Sequence, residues 1–237
     1  MPAKALFFDV GNTLLFPDRK RVLHALHQRQ IFPSDDQLRE VERRTKREFD
    51  SLLESHSAID HGFWQIFYSR LLEELRLPED SVHANLVSRT RISANWCEIR
   101  PGTRDVLRRL SNRYRLAVIS NADGKIADVL ARCGIADCFE TITDSGIVGK
   151  EKPHPMIFDT AVRSLGVSAA ESIYIGDVYS VDYRGATRFG MQAILFDVAG
   201  AYRDRGLPRV ESLEELESCL IKRTSDQKLN PENIFRN

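Results

Sequence analysis

Apolar residues arrive along this chain in two rhythms. Near the start, Ala5-Leu6-Phe7-Phe8 is a short unbroken run, the pattern of a strand buried on both faces of a helix-covered parallel sheet. From residue 18 to residue 97 the spacing turns helical, as in Val22, Leu23 and Leu26, then Phe63, Trp64, Phe67, Leu71, Leu72 and Leu75. Three to five helices and no strand are predicted there, the aromatic stripe serving helix packing. Strand and helix alternate again from Pro101-Gly102. Apolar runs at 116–119, 139–142, 172–175 and 192–196 predict strands. Helices are predicted from Thr103 to Leu110, from an Asp123 cap through Ala131, from Pro155 to Leu165 with Gly166 closing it, up to Phe189-Gly190, and at 213–221. Residues 223–237 are polar, lack periodicity and are expected to fray.

Together these elements read as an α/β fold, a doubly wound parallel sheet interrupted by an all-helical insertion. The expected core spans 1–17 and 98–222, the insertion 18–97 and the tail 223–237. With 237 residues, 42% of them apolar, the chain can fill such a core. Lys+Arg and Asp+Glu both total 34, which leaves no general electrostatic reason to bind nucleic acid. No apolar run approaches the roughly 18 residues of a membrane helix, and no signal-peptide pattern opens the chain. A cytoplasmic protein is expected, with no membrane, nucleic acid or obligate protein partner. Cys97, Cys133, Cys138 and Cys219 lack metal spacing, and Cys133 and Cys138 are expected as thiols rather than a disulfide. His24, His27, His56, His61 and His83 lack ligand spacing and are read as structural or solvated.

Candidate chemistry gathers at strand ends. Right-handed crossovers put the carboxyl ends of parallel strands on one edge, where open α/β sheets bind ligands. That edge collects Asp9, Ser120, Lys152 from its loop, and Asp177 with Asp182 nearby. A carboxylate directly after a buried strand is costly unless paired, metal-bound or reactive. Clustered carboxylates repel unless a proton or cation sits among them. Hard oxygen donors without Cys or paired His favour Mg²⁺, which often joins carboxylates to a phosphate. The Lys152 ammonium and the Ser120 hydroxyl can hold the remaining oxygens, so the site suits a phosphoryl group.

Asp9-Val10-Gly11-Asn12-Thr13, Ile119-Ser120-Asn121, Gly149-Lys150-Glu151-Lys152-Pro153 and Gly176-Asp177 with Asp182 together resemble the haloacid dehalogenase superfamily, in the branch with a helical cap between the first two motifs. The resemblance runs from Lys4 to about Leu220. It implies that Asp9 is a nucleophile forming an aspartyl-phosphate on a small phosphorylated substrate. Mg²⁺ would be held by Asp9, the Gly11 carbonyl and Asp177, with Asp182 orienting ligands or water. Thr13, Ser120 and the Asn121 amide would bind phosphate. Lys152, which directly precedes Pro153, would balance charge, leaving Lys150 a solvated loop residue.

Gly11 departs from the pattern, because phosphatases of this family usually carry an aspartate there as general acid and base. Such catalysis is typically worth about 10²–10⁴-fold. Three readings follow: a leaving group needing little protonation, such as an acyl or aryl phosphate; a replacement acid, with Asp18 and Tyr179 as candidates; or a weakly catalytic binding protein. A 2-haloacid dehalogenase is the remaining alternative, and the complete Gly176-Asp177…Asp182 pattern speaks against it. Gly11→Asp is expected to raise turnover of alkyl phosphates. Trp64, Tyr68 and Arg70 are the candidate substrate contacts from the insertion, while His154, Tyr183 and Arg184 are assigned surface or packing roles.

Overall fold

The computed structural model describes residues 3–55 and 62–229. His56 and His61, and the end of the tail from residue 230, lie outside them. The first strand, β1 (Ala5–Phe8), divides its side chains between two apolar layers. Leu6 and Phe8 enter one, Ala5 and Phe7 the other, and all four are fully buried. That division is why its sequence shows no polar alternation.

Two short strands follow in sequence, β2 (Leu15–Pro17) and β3 (Trp96–Ile99), paired antiparallel with Phe16 opposite Glu98. The remaining strands are β4 (Arg115–Ser120), β5 (Thr141–Asp144), β6 (Ser172–Gly176), β7 (Gln192–Phe196) and β8 (Arg209–Val210). They join β1 in a six-stranded sheet of order β5-β4-β1-β6-β7-β8, parallel at every pairing. β1 is central, its Phe8 lying opposite Val118 of β4 and Ile175 of β6. Helices Thr103–Ser111, Ile126–Arg132 and Leu213–Leu229 cover the Leu6/Phe8 face, and Pro155–Leu165 and Arg184–Phe189 cover the other. The chain is thus an α/β protein with a doubly wound parallel sheet.

Between β2 and β3 lies a helical insert containing Arg19–Val22, His24–His27, Asp35–Ser55, Phe63–Glu74 and Ser81–Thr90. Its own core includes Leu26, Val41, Phe67, Leu71 and Leu86. Among the described residues no helix is long and apolar enough to cross a membrane, and all four cysteines are free thiols.

Five local expectations change. Trp96 and Cys97, assigned above to the helical stretch, belong to β3, which is too short to show a period of its own beside a long helical pattern. The third strand starts at Thr141 rather than 139. Asp123 does not cap the following helix: the Asp144 carboxylate accepts from Gly124 N at 3.0 Å and Ile126 N at 3.1 Å, while Asp123 accepts from Ser93 N. Gly102, not Thr103, takes the cap position before Thr103–Ser111. The last helix also continues past 221 to Leu229, through Lys222, Arg223, Gln227 and Lys228, residue types that favour helix without any apolar periodicity.

Candidate active site

Register delivers the charged groups to one place. Because β1, β4 and β6 run parallel and in step, Asp9, Ser120 and Asp177 emerge side by side at the carboxyl edge. The turn after Asp9 is tight, with Leu14 N and Leu15 N both donating to Val10 O at 2.9 Å. Gly176 is required at the end of β6: a Cβ there would stand 2.5 Å from Asp182 Cγ. Its absence lets the π-helical turn Tyr179–Tyr183 fold Asp182 back against the strand. Carboxylate oxygens of Asp9, Asp177 and Asp182 consequently lie within 4.8 Å of one another, all three residues buried.

Two buried ammonium groups compensate them. Lys152 Nζ donates to Asp9 Oδ1 at 2.5 Å, Asp182 Oδ1 at 2.9 Å and the Tyr174 hydroxyl at 2.7 Å. The Asn121 carboxamide holds the lysine's backbone, accepting from Lys152 N at 2.7 Å and donating to Lys152 O at 3.1 Å. Lys46, from helix Asp35–Ser55 of the insert, places Nζ 2.9 Å from Asp177 Oδ2 and 2.8 Å from Glu42 Oε1. Burial favours the neutral form of each lysine, but the neighbouring carboxylates outweigh it and both stay cationic, with pKa values above the usual. Burial pushes Asp9 up to about 7 against the pull of Lys152, helped by repulsion from Asp182 and Asp177. Asp177 rises to about 6, chiefly by burial and against the pull of Lys46. Three carboxylates facing two ammonium groups leave an oxygen-rich, net acidic cluster. That donor set fits a hard divalent cation such as Mg²⁺.

Beside this cluster opens a cavity of about 420 Å³. Asp9, Gly11, Ser120, Lys152 and Asp177 line one part, and Phe49, Leu53, Phe63 and Trp64 of the insert line another, with Trp96 of β3. A haloacid dehalogenase-like hydrolase family model matches residues 3–190. The chain belongs to the haloacid dehalogenase-like hydrolases. Glyceraldehyde 3-phosphate phosphatase of Pyrococcus abyssi is 29% identical over 202 residues, 81% of each chain. Among solved structures, the magnesium-bound HAD-hydrolase YfnB of Bacillus subtilis superposes with a TM-score of 0.66 at 20% identity, covering 93% of this chain and 99% of that one. L-2-haloacid dehalogenase of Xanthobacter autotrophicus gives 0.57 at 20% identity, covering 92% and 98%. At these identities the structural likenesses show the fold.

The hydrolase brings together most residues expected from its sequence. Asp9, Ser120, Lys152, Asp177 and Asp182 converge, Gly11 and Asn121 line the same cavity, and Lys150 is exposed. Thr13 is buried with its hydroxyl unpartnered, and its neighbours Gly11 and Asn12 form the cavity wall. Both Asp182 oxygens already have protein partners, Oδ1 with Lys152 and Oδ2 with Val178 N at 2.9 Å. Neither candidate replacement acid reaches the site. Asp18 caps Arg19–Val22, and Tyr179 stacks on Tyr183 at 5.7 Å. Tyr68 is buried against Thr90, and Arg70 is paired with Glu48, so of the three proposed insert contacts only Trp64 lines the cavity. His154 caps Pro155–Leu165 through Nδ1, and Arg184 pairs with Glu54 of the insert at 3.3 Å.

Sequence reasoning missed Lys46, Asp50 and Trp96. Asp50 Oδ1 accepts from Ser180 N at 2.9 Å, although Asp50 itself lies in no motif. The available signal was periodic: Arg43, Lys46 or Arg47, Asp50 and Glu54 recur at three- or four-residue steps, and all meet the core. Trp96 stands over Gly11, where an added Cβ would be 3.3 Å from its Cζ3. A side chain at position 11 requires the indole to give by a few tenths of an ångström, so the gain expected from Gly11→Asp depends on that adjustment.

Proposed function

We propose that this hydrolase is a phosphatase that carries its phosphoryl group on Asp9. The observation carrying this reading is the meeting of three buried carboxylates within 4.8 Å, with Lys152 bonded to two of them, at the edge of a parallel sheet. The Pyrococcus abyssi relative, named a glyceraldehyde 3-phosphate phosphatase, supports phosphate esters as the substrate class. Asp9 attacks phosphorus as its carboxylate, which Lys152 orients and pulls toward the ionised form. The Ser120 hydroxyl and the Asn121 backbone N–H bind the phosphate oxygens. Asp9, Asp177 and the Gly11 carbonyl would hold Mg²⁺, with Asp182 anchoring Lys152 beside it. The ion, when bound, supplies positive charge to the phosphoryl oxygens.

In this reading residues 18–97 act as a cap over a core of 1–17 and 98–222, and β2 and β3 form its hinge, closing the site from water. Reduced cysteines favour a cytoplasmic setting. A panel of phosphate monoesters, assayed for phosphate release with and without Mg²⁺ beside Asp9→Asn, tests the reading. Mg²⁺-dependent release that the variant loses by at least about 10⁴-fold is expected. Halide release from a 2-haloacid in EDTA, with no phosphate released from any ester, would overturn it.

A further inference from the structure

Position 11 and the far wall of the cavity point the same way. Nothing but hydrogen projects from Gly11, and the Trp96 indole lies closely over it, 3.3 Å from where a Cβ would stand. The indole is fixed there, its Nε1 donating to Thr90 O at 2.7 Å. Trp64 packs against it with ring centroids 5.4 Å apart, and Phe49 and Phe63 extend the apolar surface. The face nearest Asp9 thus offers a ring system where a proton donor would be useful. Asp123 also lines the cavity. Burial raises its pKa, but bonds from Ser93 outweigh this and hold the carboxyl below the usual range, as an anion rather than an acid.

We propose that the site selects phosphate monoesters of aromatic alcohols, whose phenolate departs without a proton and whose ring packs against Trp64 and Trp96. This rests on the phosphatase reading. Asp9 Oδ attacks phosphorus, the P–O bond to the aryl oxygen breaks, and its electron pair leaves as phenolate, later protonated by water. Water then attacks phosphorus and the P–Oδ bond breaks, giving inorganic phosphate and the free carboxylate. A carboxylate leaving group needs no proton either. A phenol has a pKa of about 10, whereas an alkanol is nearer water at about 15.7. An aliphatic ester of equal size would fill the apolar wall but would still need an acid, and among the described residues position 11 supplies none. An aryl ester satisfies both features.

The test compares kcat/KM for ring-substituted phenyl phosphates and for glyceraldehyde 3-phosphate on the wild-type enzyme with Mg²⁺. Phenyl phosphate is expected to be at least about 100-fold better, the lower end of what general acid catalysis supplies, with kcat/KM rising as the phenol pKa falls. Glyceraldehyde 3-phosphate turned over as well as the aryl esters would overturn the proposal and leave the phosphatase reading standing. No Asp9-dependent phosphate release from any ester would remove both. In Glu151→Gln the dependence on phenol pKa is expected to be unchanged. A steeper dependence would assign the proton to Glu151, another residue of the cavity wall, and overturn the proposal. A binding measurement is independent of turnover, because both tryptophans of the chain line this cavity. Phenylphosphonate should perturb their fluorescence and bind at least about tenfold tighter than methylphosphonate, and equal affinities would count against it.

Discussion

Two lysines are buried at this site, each between two carboxylates, and they differ in what holds them. Lys152, 3% exposed, comes from the core itself and bridges Asp9 and Asp182, and the Tyr174 hydroxyl completes its shell. Every group in that network belongs to the sheet or the loops that leave it. Lys46, fully buried, arrives from the helical insert and bridges Asp177 to Glu42 of its own helix. Its pairing exists only while helix Asp35–Ser55 lies on the core. One ammonium is thus a fixed part of the charged edge, and the other ties the charge balance of that edge to the position of the insert. Breaking a buried pair is costly because the remaining charge has no water to replace its partner.

Lys152→Met should have the largest effect. It leaves Asp9 and Asp182 facing each other, and about 3–5 kcal/mol of stability should be lost in urea unfolding, with phosphate release down at least about 10³-fold. Lys46→Met should cost less, about 2–3 kcal/mol, because Glu42 is only half-buried and can turn to solvent. Adding Glu42→Gln should recover part of that loss, whereas Lys152→Met should not respond to Glu42→Gln. Recovery in both backgrounds would show that the two networks are one.

Protonation offers a gentler probe. The folded-state pKa values of about 7 for Asp9 and about 6 for Asp177 lie above those of an unfolded chain near 3.8. The folded, metal-free protein therefore holds protons that the unfolded chain has released, and the pair's contribution to stability falls as pH rises from about 4 to about 7. Metal-free Tm should decline more steeply over that range than in Asp9→Asn, and Mg²⁺ should stabilise more at pH 7 than at pH 5. The smallest effect is expected at the exposed margin of the insert: Arg184→Ala removes the bond to Glu54 and should change stability by no more than about 1 kcal/mol.

The core network was legible because each member follows a short apolar run or precedes a proline. Asp9, Ser120 and Asp177 could be placed at strand ends, and Lys152 in the loop before Pro153, from local pattern alone. Lys46 and Asp50 could not, because a charged residue on an amphipathic helix looks the same whether it meets water or a second domain. Trp96 was absorbed into the helical stretch for a similar reason, four residues being too few to show a strand period. The Asp144 cap was invisible because its partners, Gly124 and Ile126, lie twenty and eighteen residues away.

Alternating strand and helix patterns by themselves determined the parallel sheet, the helical insertion and which carboxylates share an edge. The physical reason is that burial on both faces and strand-end placement are properties of neighbouring residues. Tertiary structure alone decided that Lys46 neutralises Asp177, that Asn121 braces Lys152, and that an indole occupies the space beside Gly11. Those are encounters between segments far apart in the chain, set by how the insert docks, and no local periodicity encodes them.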